Sequence, residues 1–313
     1  MSSCRPGYPS YDALEASWDT LGGRSSVVGH SVRGRPLRVH ELGDPSGPTI
    51  LLSGQLHGME AIGGLGLRAA VDALLGSAVA RRARLVVMPV VNPDAAAGSL
   101  DHGRARRSNA RGVDLNRNFP TPATRRSWHP FAGSGSRWSP YYRGPTPLSE
   151  PESLALAELA RAVRPRLSLG FHSQGGLLLH PWGYSTAPHP RAAEYRALGA
   201  AFVGAQARRY RVSPGSDWYP THGDLDDWLD HTLGTLAFTL EVGRWTRAQA
   251  NPRRVWDPFW WLNPPEEHIA ETVADVARGT KALVEHLLAA ESAPAARARE
   301  VERPRPRLRH AAR

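Results

Sequence analysis

Few side chains can hold a metal ion beside a reactive water, and two of them stand close together early in this 313-residue chain. In the stretch LLSGQLHGMEAIGG, residues 51–64, two residues separate His57 from Glu60. An imidazole nitrogen and a carboxylate oxygen at that spacing can reach one divalent cation from a single loop. The spacing alone decides nothing, because the chain repeats it at His268 and Glu271. A catalytic zinc also needs a third protein ligand and an open position for water. His172, in LSLGFHSQGG (167–176), can supply that ligand if the fold brings it near; taken alone it reads rather as a satisfied core or rim histidine. Cys4 is the only cysteine, so a metal site must use His and carboxylates, and no internal disulfide can form.

The elements around these residues separate the two pairs. Short apolar runs at 49–54, 84–91, 166–172 and 234–242 read as buried strands. Helical patterns lie between them, in EAIGGLGLRAAVDALLGS, SEPESLALAELARAV, RAAEYRALGAAFVGAQARRY and PEEHIAETVADVARGTKALVEHLLAA. The second opens with Ser149 and Glu152 spaced as a capping box. Strands alternating with helices imply an α/β sheet with helices on both faces, in one large domain or two small ones. Ligands bind such sheets outside the carboxyl ends of the strands. His57 and Glu60 follow a strand at that end, and His172 ends another. His268 and Glu271 lie one turn apart in a charged amphipathic helix and read as a solvated face.

Composition sets the bounds. A hydrophobic fraction of 41% and a charged fraction of 22% are ordinary for a globular enzyme. The net charge of +10 is nearly all arginine, with Lys281 the only lysine. Much of it falls in the loop HGRARRSNAR and the tail ARAREVERPRPRLRHAAR, so nucleic acid is not expected as a partner. No apolar run approaches the roughly 18 residues a membrane helix needs, and the first 20 residues lack a signal-peptide core. A membrane partner is therefore not expected, and a cytoplasmic location is. Residues 1–7 are expected to fray, 8–288 to form the domain, and 289–313 to be a disordered basic tail. Residues 119–148 show no period, which in a compact domain marks a functional loop or an insertion.

Six stretches in order, HGME, VNPD, RSNARGVDLNRNFP, SEPE, FHSQGGLLLHPWGY and FTLEVG, resemble the zinc metallocarboxypeptidases of the carboxypeptidase A type. The resemblance runs from about residue 8 to residue 288, near the bacterial murein tripeptide amidases. It implies a carboxypeptidase-like fold, a single α/β domain with a mixed, mostly parallel central β-sheet and helices on both faces, and one Zn²⁺ per chain held by His57, Glu60 and His172. Asp114 matches the carboxylate that orients the first histidine, Glu241 the general base, and Arg107 the arginine that stabilises the oxyanion. Asn116 and Arg117 match the pair that grips a terminal carboxylate, and Tyr219 the mobile tyrosine that closes over it. Asp226 matches the position at the base of the side-chain pocket, where an acid suits Lys or Arg. DLDD also offers Asp224 and Asp227, so which carboxylate faces the pocket stays open, as does a solvated helix start.

The implied activity is zinc-dependent hydrolysis of the C-terminal peptide bond, on a peptide or murein-peptide substrate with a free C-terminal carboxylate. The alternatives are a murein peptide amidase cleaving γ-D-glutamyl-diaminopimelate bonds, an acyl-amino-acid deacylase on the same fold, and a non-enzymatic basic binding module. Met59 stands where the animal digestive enzymes carry a basic residue, which puts their contacts to longer peptides in doubt.

Overall fold

The computed structural model describes residues 4–123, 127–245 and 256–301, with side chains to residue 292. Eight strands form one sheet: β1 (Arg24–His30), β2 (Pro36–Gly43), β3 (Thr49–Gly54), β4 (Arg84–Met88), β5 (Leu167–His172), β6 (Leu177–His180), β7 (Arg211–Pro214) and β8 (Leu236–Glu241). Their order is β1-β2-β4-β3-β5-β8-β6-β7. The central run β4-β3-β5-β8 is parallel, β2 and β6 join it antiparallel, and β7 runs parallel to β6. Helices are α1 (Tyr11–Asp19), α2 (Ala61–Leu75), α3 (Pro93–Asp101), α4 (Pro151–Val163), α5 (Ala192–Gly204), α6 (Leu225–Leu233), α7 (Phe259–Leu262) and α8 (Glu266–Val301).

Alternation along β3 splits the core in two. Ile50 and Leu52 join the cluster under α2, α5 and α8, while Leu51 joins the one under α4 and α6. Such strands are apolar on both faces because helices cover both. Register then builds the site: Gly54 lies opposite Phe171, and His172 opposite Glu241, so β3, β5 and β8 end at one edge. Two glycines let the ligand loop sit there. A Cβ on Gly58 would meet Ala95 C at 2.2 Å, and one on Gly63 would meet Phe171 O at 2.9 Å.

Several expectations are corrected. Of the run 84–91 only Arg84–Met88 is strand, because Pro89 has no N–H to donate, although the Val91 amide still reaches Gly54 O at 3.0 Å. The capping box does not form: Glu150 is the N-cap with Pro151 behind it, and Ser149 Oγ donates to Glu150. Glu152 instead accepts from the Val32 amide at 3.0 Å and Asn109 Nδ2 at 3.0 Å. The N-terminus is held from Cys4 onward. The Cys4 amide donates to Leu100 O, and the buried Arg5 pairs with Asp257. α8 continues past residue 288 to Val301, and the tail beyond it lies outside the described residues. Among the described residues no helix is long and apolar enough to cross a membrane.

Candidate active site

Three ligand-type atoms converge where β3 and β5 end. His57 Nδ1 lies 2.8 Å from Glu60 Oε1; His172 Nδ1 lies 2.9 Å from Glu60 Oε2 and 3.2 Å from His57 Nδ1. All three residues are buried. Two imidazole nitrogens facing each other this closely cannot both carry a proton, whereas a cation between them would satisfy both lone pairs. Glu60 is also the residue before α2, yet its side chain makes no capping bond, because it turns into this cluster. Two nitrogens and a carboxylate with one side open to a cleft suit a single zinc ion.

Asp114 sets the tautomer. Its Oδ1 accepts from His57 Nε2 at 3.0 Å, which leaves Nδ1 with its lone pair facing the cluster. Asp114 caps a 3-10 turn, Leu115–Arg117, and accepts from the Asn116 amide at 3.0 Å. Its Oδ2 accepts from Arg107 Nε at 2.9 Å. Burial opposes ionisation of Asp114, but Arg107 and His57 more than offset it and hold the carboxyl below the usual carboxylate range. Arg107 Nη1 reaches within 3.8 Å of Glu60 Oε1, which places the guanidinium on the cleft side of the cluster.

The cleft in front holds about 290 Å³ and is lined by every site residue the sequence singled out except Asp114, which lies behind His57. Glu241 ends β8 across from His172, and its Oε2 makes no hydrogen bond among the described residues. Burial, then the charge of Glu60, push its carboxyl up to about 8 against His172 and Arg107. A cation bound at the cluster would draw it back down.

In the same cleft, the buried Arg117 guanidinium donates to Phe131 O from Nε at 3.0 Å and Nη2 at 2.9 Å, and to Asn116 O from Nη1 at 2.7 Å. These partners are carbonyls, and among the described residues no ion pair neutralises its charge. Asn116 Oδ1 accepts from the Leu225 amide at 3.0 Å, which ties it to the start of α6. Tyr219 stacks on His129 at 5.7 Å and stands edge-on to Phe131 at 5.7 Å.

The three aspartates divide their work. Asp224 caps α6 by accepting from the Asp227 amide at 3.1 Å, and Asp227 accepts from Gly183 and Tyr184 amides. Asp226 is buried against the cleft with Oδ1 unpartnered among the described residues, and burial pushes it up to about 7. A solvated helix start is excluded, because all of DLDD from Leu225 onward is buried.

Sequence reading missed Asn263. It is fully buried, donates from Nδ2 to Met59 O at 2.7 Å and Phe259 O at 2.7 Å, and accepts from the Ile62 amide at 2.8 Å. These bonds flank Glu60 on both sides. Replacing Asn263 by Ala is expected to weaken zinc binding about 10- to 100-fold. Competition with a chromogenic chelator measures it, and an unaltered affinity would leave Asn263 with no part in positioning Glu60.

A family model described as zinc carboxypeptidase matches residues 15–279. Carboxypeptidase B of Astacus astacus is 26% identical over 265 residues, covering 75% of this chain and 86% of that protein. Carboxypeptidase A6 of Mus musculus is 30% identical over 241 residues, covering 69% of this chain and 54% of its own, so the chain spans about half of that relative. In fold, the chain is similar to bovine thrombin-activatable fibrinolysis inhibitor, solved in complex with tick carboxypeptidase inhibitor. The TM-score is 0.75 at 22% identity, with 90% of this chain and 98% of that one covered. With the match spanning most of its length and the histidine–glutamate–histidine cluster at its strand ends, the chain belongs to the zinc carboxypeptidase family, a family of metallocarboxypeptidases.

Proposed function

We propose that the protein is a zinc-dependent exopeptidase that removes a C-terminal residue with a cationic side chain. One observation carries this reading: among the described residues, a single cleft holds a buried guanidinium without an ion pair, Arg117, and a buried carboxyl with one unpartnered oxygen, Asp226. Buried charges are costly unless paired, so their natural complement has a carboxylate at one point and a cation at another. A C-terminal arginine or lysine has both.

Zinc, when bound, supplies Lewis acidity toward a water and the scissile carbonyl. Arg117 and Asn116 hold the terminal carboxylate, the guanidinium by its fork and the amide by a neutral donor. Tyr219, beside Arg117, is placed to cover that carboxylate and exclude water. Glu241 takes a proton from the attacking water and passes it to the departing amine. Arg107, fixed by Asp114, donates to the carbonyl oxygen as negative charge builds on it.

Diaminopimelate also carries a carboxylate and an ammonium, so a γ-D-glutamyl-diaminopimelate linkage fits the same pair of charges. Incubating the enzyme with an arginine-terminated peptide and, separately, a murein tripeptide distinguishes the two. Release of arginine with the murein tripeptide left intact is expected; the reverse would make the protein an amidase.

The Asp226 carboxyl, raised by burial, adds a pH signature. It is neutral below about 7 and anionic above, and a substrate cation favours the anionic form. KM for an arginine-terminated peptide is therefore expected to fall as pH rises from about 6 to about 8. KM for a leucine-terminated peptide should not share that fall. Steady-state kinetics across that range decide, and parallel curves would contradict the assignment.

A further inference from the structure

We infer that a second cavity, behind the loop that carries Arg107, binds a compact multivalent oxyanion of the phosphate class. The site is separate from the zinc cleft and stands whether or not the exopeptidase reading does.

This cavity holds about 240 Å³ between the flank of α3, the turn joining β1 to β2, and the loop 102–110. Along α3, Ala95, Ala97 and Gly98 have no side chain long enough to fill it, and a Cβ on Gly98 would meet nothing nearer than Arg104 O at 3.8 Å. Four arginines line it, Arg33 and Arg35 from the turn and Arg104 and Arg106 from the loop. Against them stands one lining carboxylate, the buried Asp94, which is already engaged. Its Oδ2 accepts from the Arg33 amide at 3.0 Å, and its Oδ1 lies 3.6 Å from Arg35 Nε. Among the described residues the guanidiniums of Arg33, Arg104 and Arg106 make no hydrogen bond or ion pair. Three such groups around one hollow repel one another. An oxyanion with several charges relieves that repulsion and can accept from more than one guanidinium fork at once.

Both walls are held in place without a ligand. The Glu152 carboxylate accepts from the Val32 amide and from Asn109 Nδ2, each at 3.0 Å, so turn and loop are pinned to one side chain. The Arg104 amide donates to Gly98 O at 2.8 Å and the Arg106 amide to Ser99 Oγ at 3.3 Å, which fastens the loop to α3. A backbone frame preformed in this way costs little ordering on binding. Alternation along the loop keeps the two cavities apart: Arg106 and Ser108 line this one, and Arg107 between them lines the zinc cleft.

Calorimetric titration of the full-length zinc-loaded protein at low salt tests this, with inorganic phosphate and with glycerol 3-phosphate. The proteins compared are the wild type, Arg33→Gln and the double variant Arg104→Gln/Arg106→Gln. Wild type is expected to bind one phosphate more per chain than the double variant, because any phosphate taken up in the zinc cleft is common to both. Arg33→Gln, on the opposite wall, should weaken the same site about tenfold. All three arginines are exposed, so the variants should fold, and an unchanged zinc content checks that they do. Equal affinity for the two anions would make the free ion sufficient, whereas tighter glycerol 3-phosphate would assign the site to a phosphate ester; either supports the proposal. Superimposable isotherms in the three proteins overturn it, and so does binding of a single-stranded oligonucleotide with no extra phosphate bound by the wild type.

Discussion

Replacing Glu241 by Gln is expected to lower kcat by about 10²- to 10⁴-fold while the protein still binds one zinc per chain. Gln keeps the size and the hydrogen-bonding reach of the side chain but cannot accept the proton of the attacking water. Glu241 is not among the three converging ligand residues, so metal content should not follow activity. Steady-state hydrolysis together with metal analysis of the same preparation separates the two effects. Turnover near the wild-type rate would remove Glu241 from its role; loss of zinc would make it a ligand.

Replacing Asp226 by Asn is the second large effect. The carboxylate would meet a substrate cation inside a buried pocket, where removing one partner of an ion pair costs about 3 kcal/mol. That corresponds to about two decades in kcat/KM on arginine-terminated peptides. Leucine-terminated peptides should lose little, so the ratio of the two rates is the readout. A uniform loss on both would mean that Asp226 shapes the pocket rather than selecting charge. Asp224 cannot readily take over, because it is engaged as the cap of α6 and accepts from Thr221.

The two His–Glu pairs show how far sequence could reach. His57–Glu60 and His268–Glu271 have nearly the same local geometry, with Nδ1 to carboxylate distances of 2.8 Å and 3.0 Å. Nothing within either pair distinguishes them. What differs is the surroundings. His57 and Glu60 are buried and meet His172, while His268 and Glu271 are on the surface, where Glu271 also pairs with Arg208. Their place after a buried strand was legible because strand ends in α/β sheets collect ligands.

Other features left weaker marks. The four buried strands were legible as apolar runs, but β1 mixes exposed and half-buried residues at the sheet edge and has no clear pattern. The three neighbouring aspartates could not be told apart, because their roles depend on which backbone amides point at them. Asn263 was invisible for another reason: its contacts with Met59 and Ile62 span more than 200 residues, and no local pattern records them.

The most direct measurement follows free arginine released from a peptide ending in Arg, beside the same peptide amidated at its C-terminus. Both are assayed with zinc, after chelation, and after zinc is restored. Rapid release from the free acid alone, lost on chelation and recovered with zinc, is the expected result. Cleavage of the amide at a comparable rate, or turnover that persists in the metal-free protein, would contradict a zinc centre that works on a carboxylate held by Arg117.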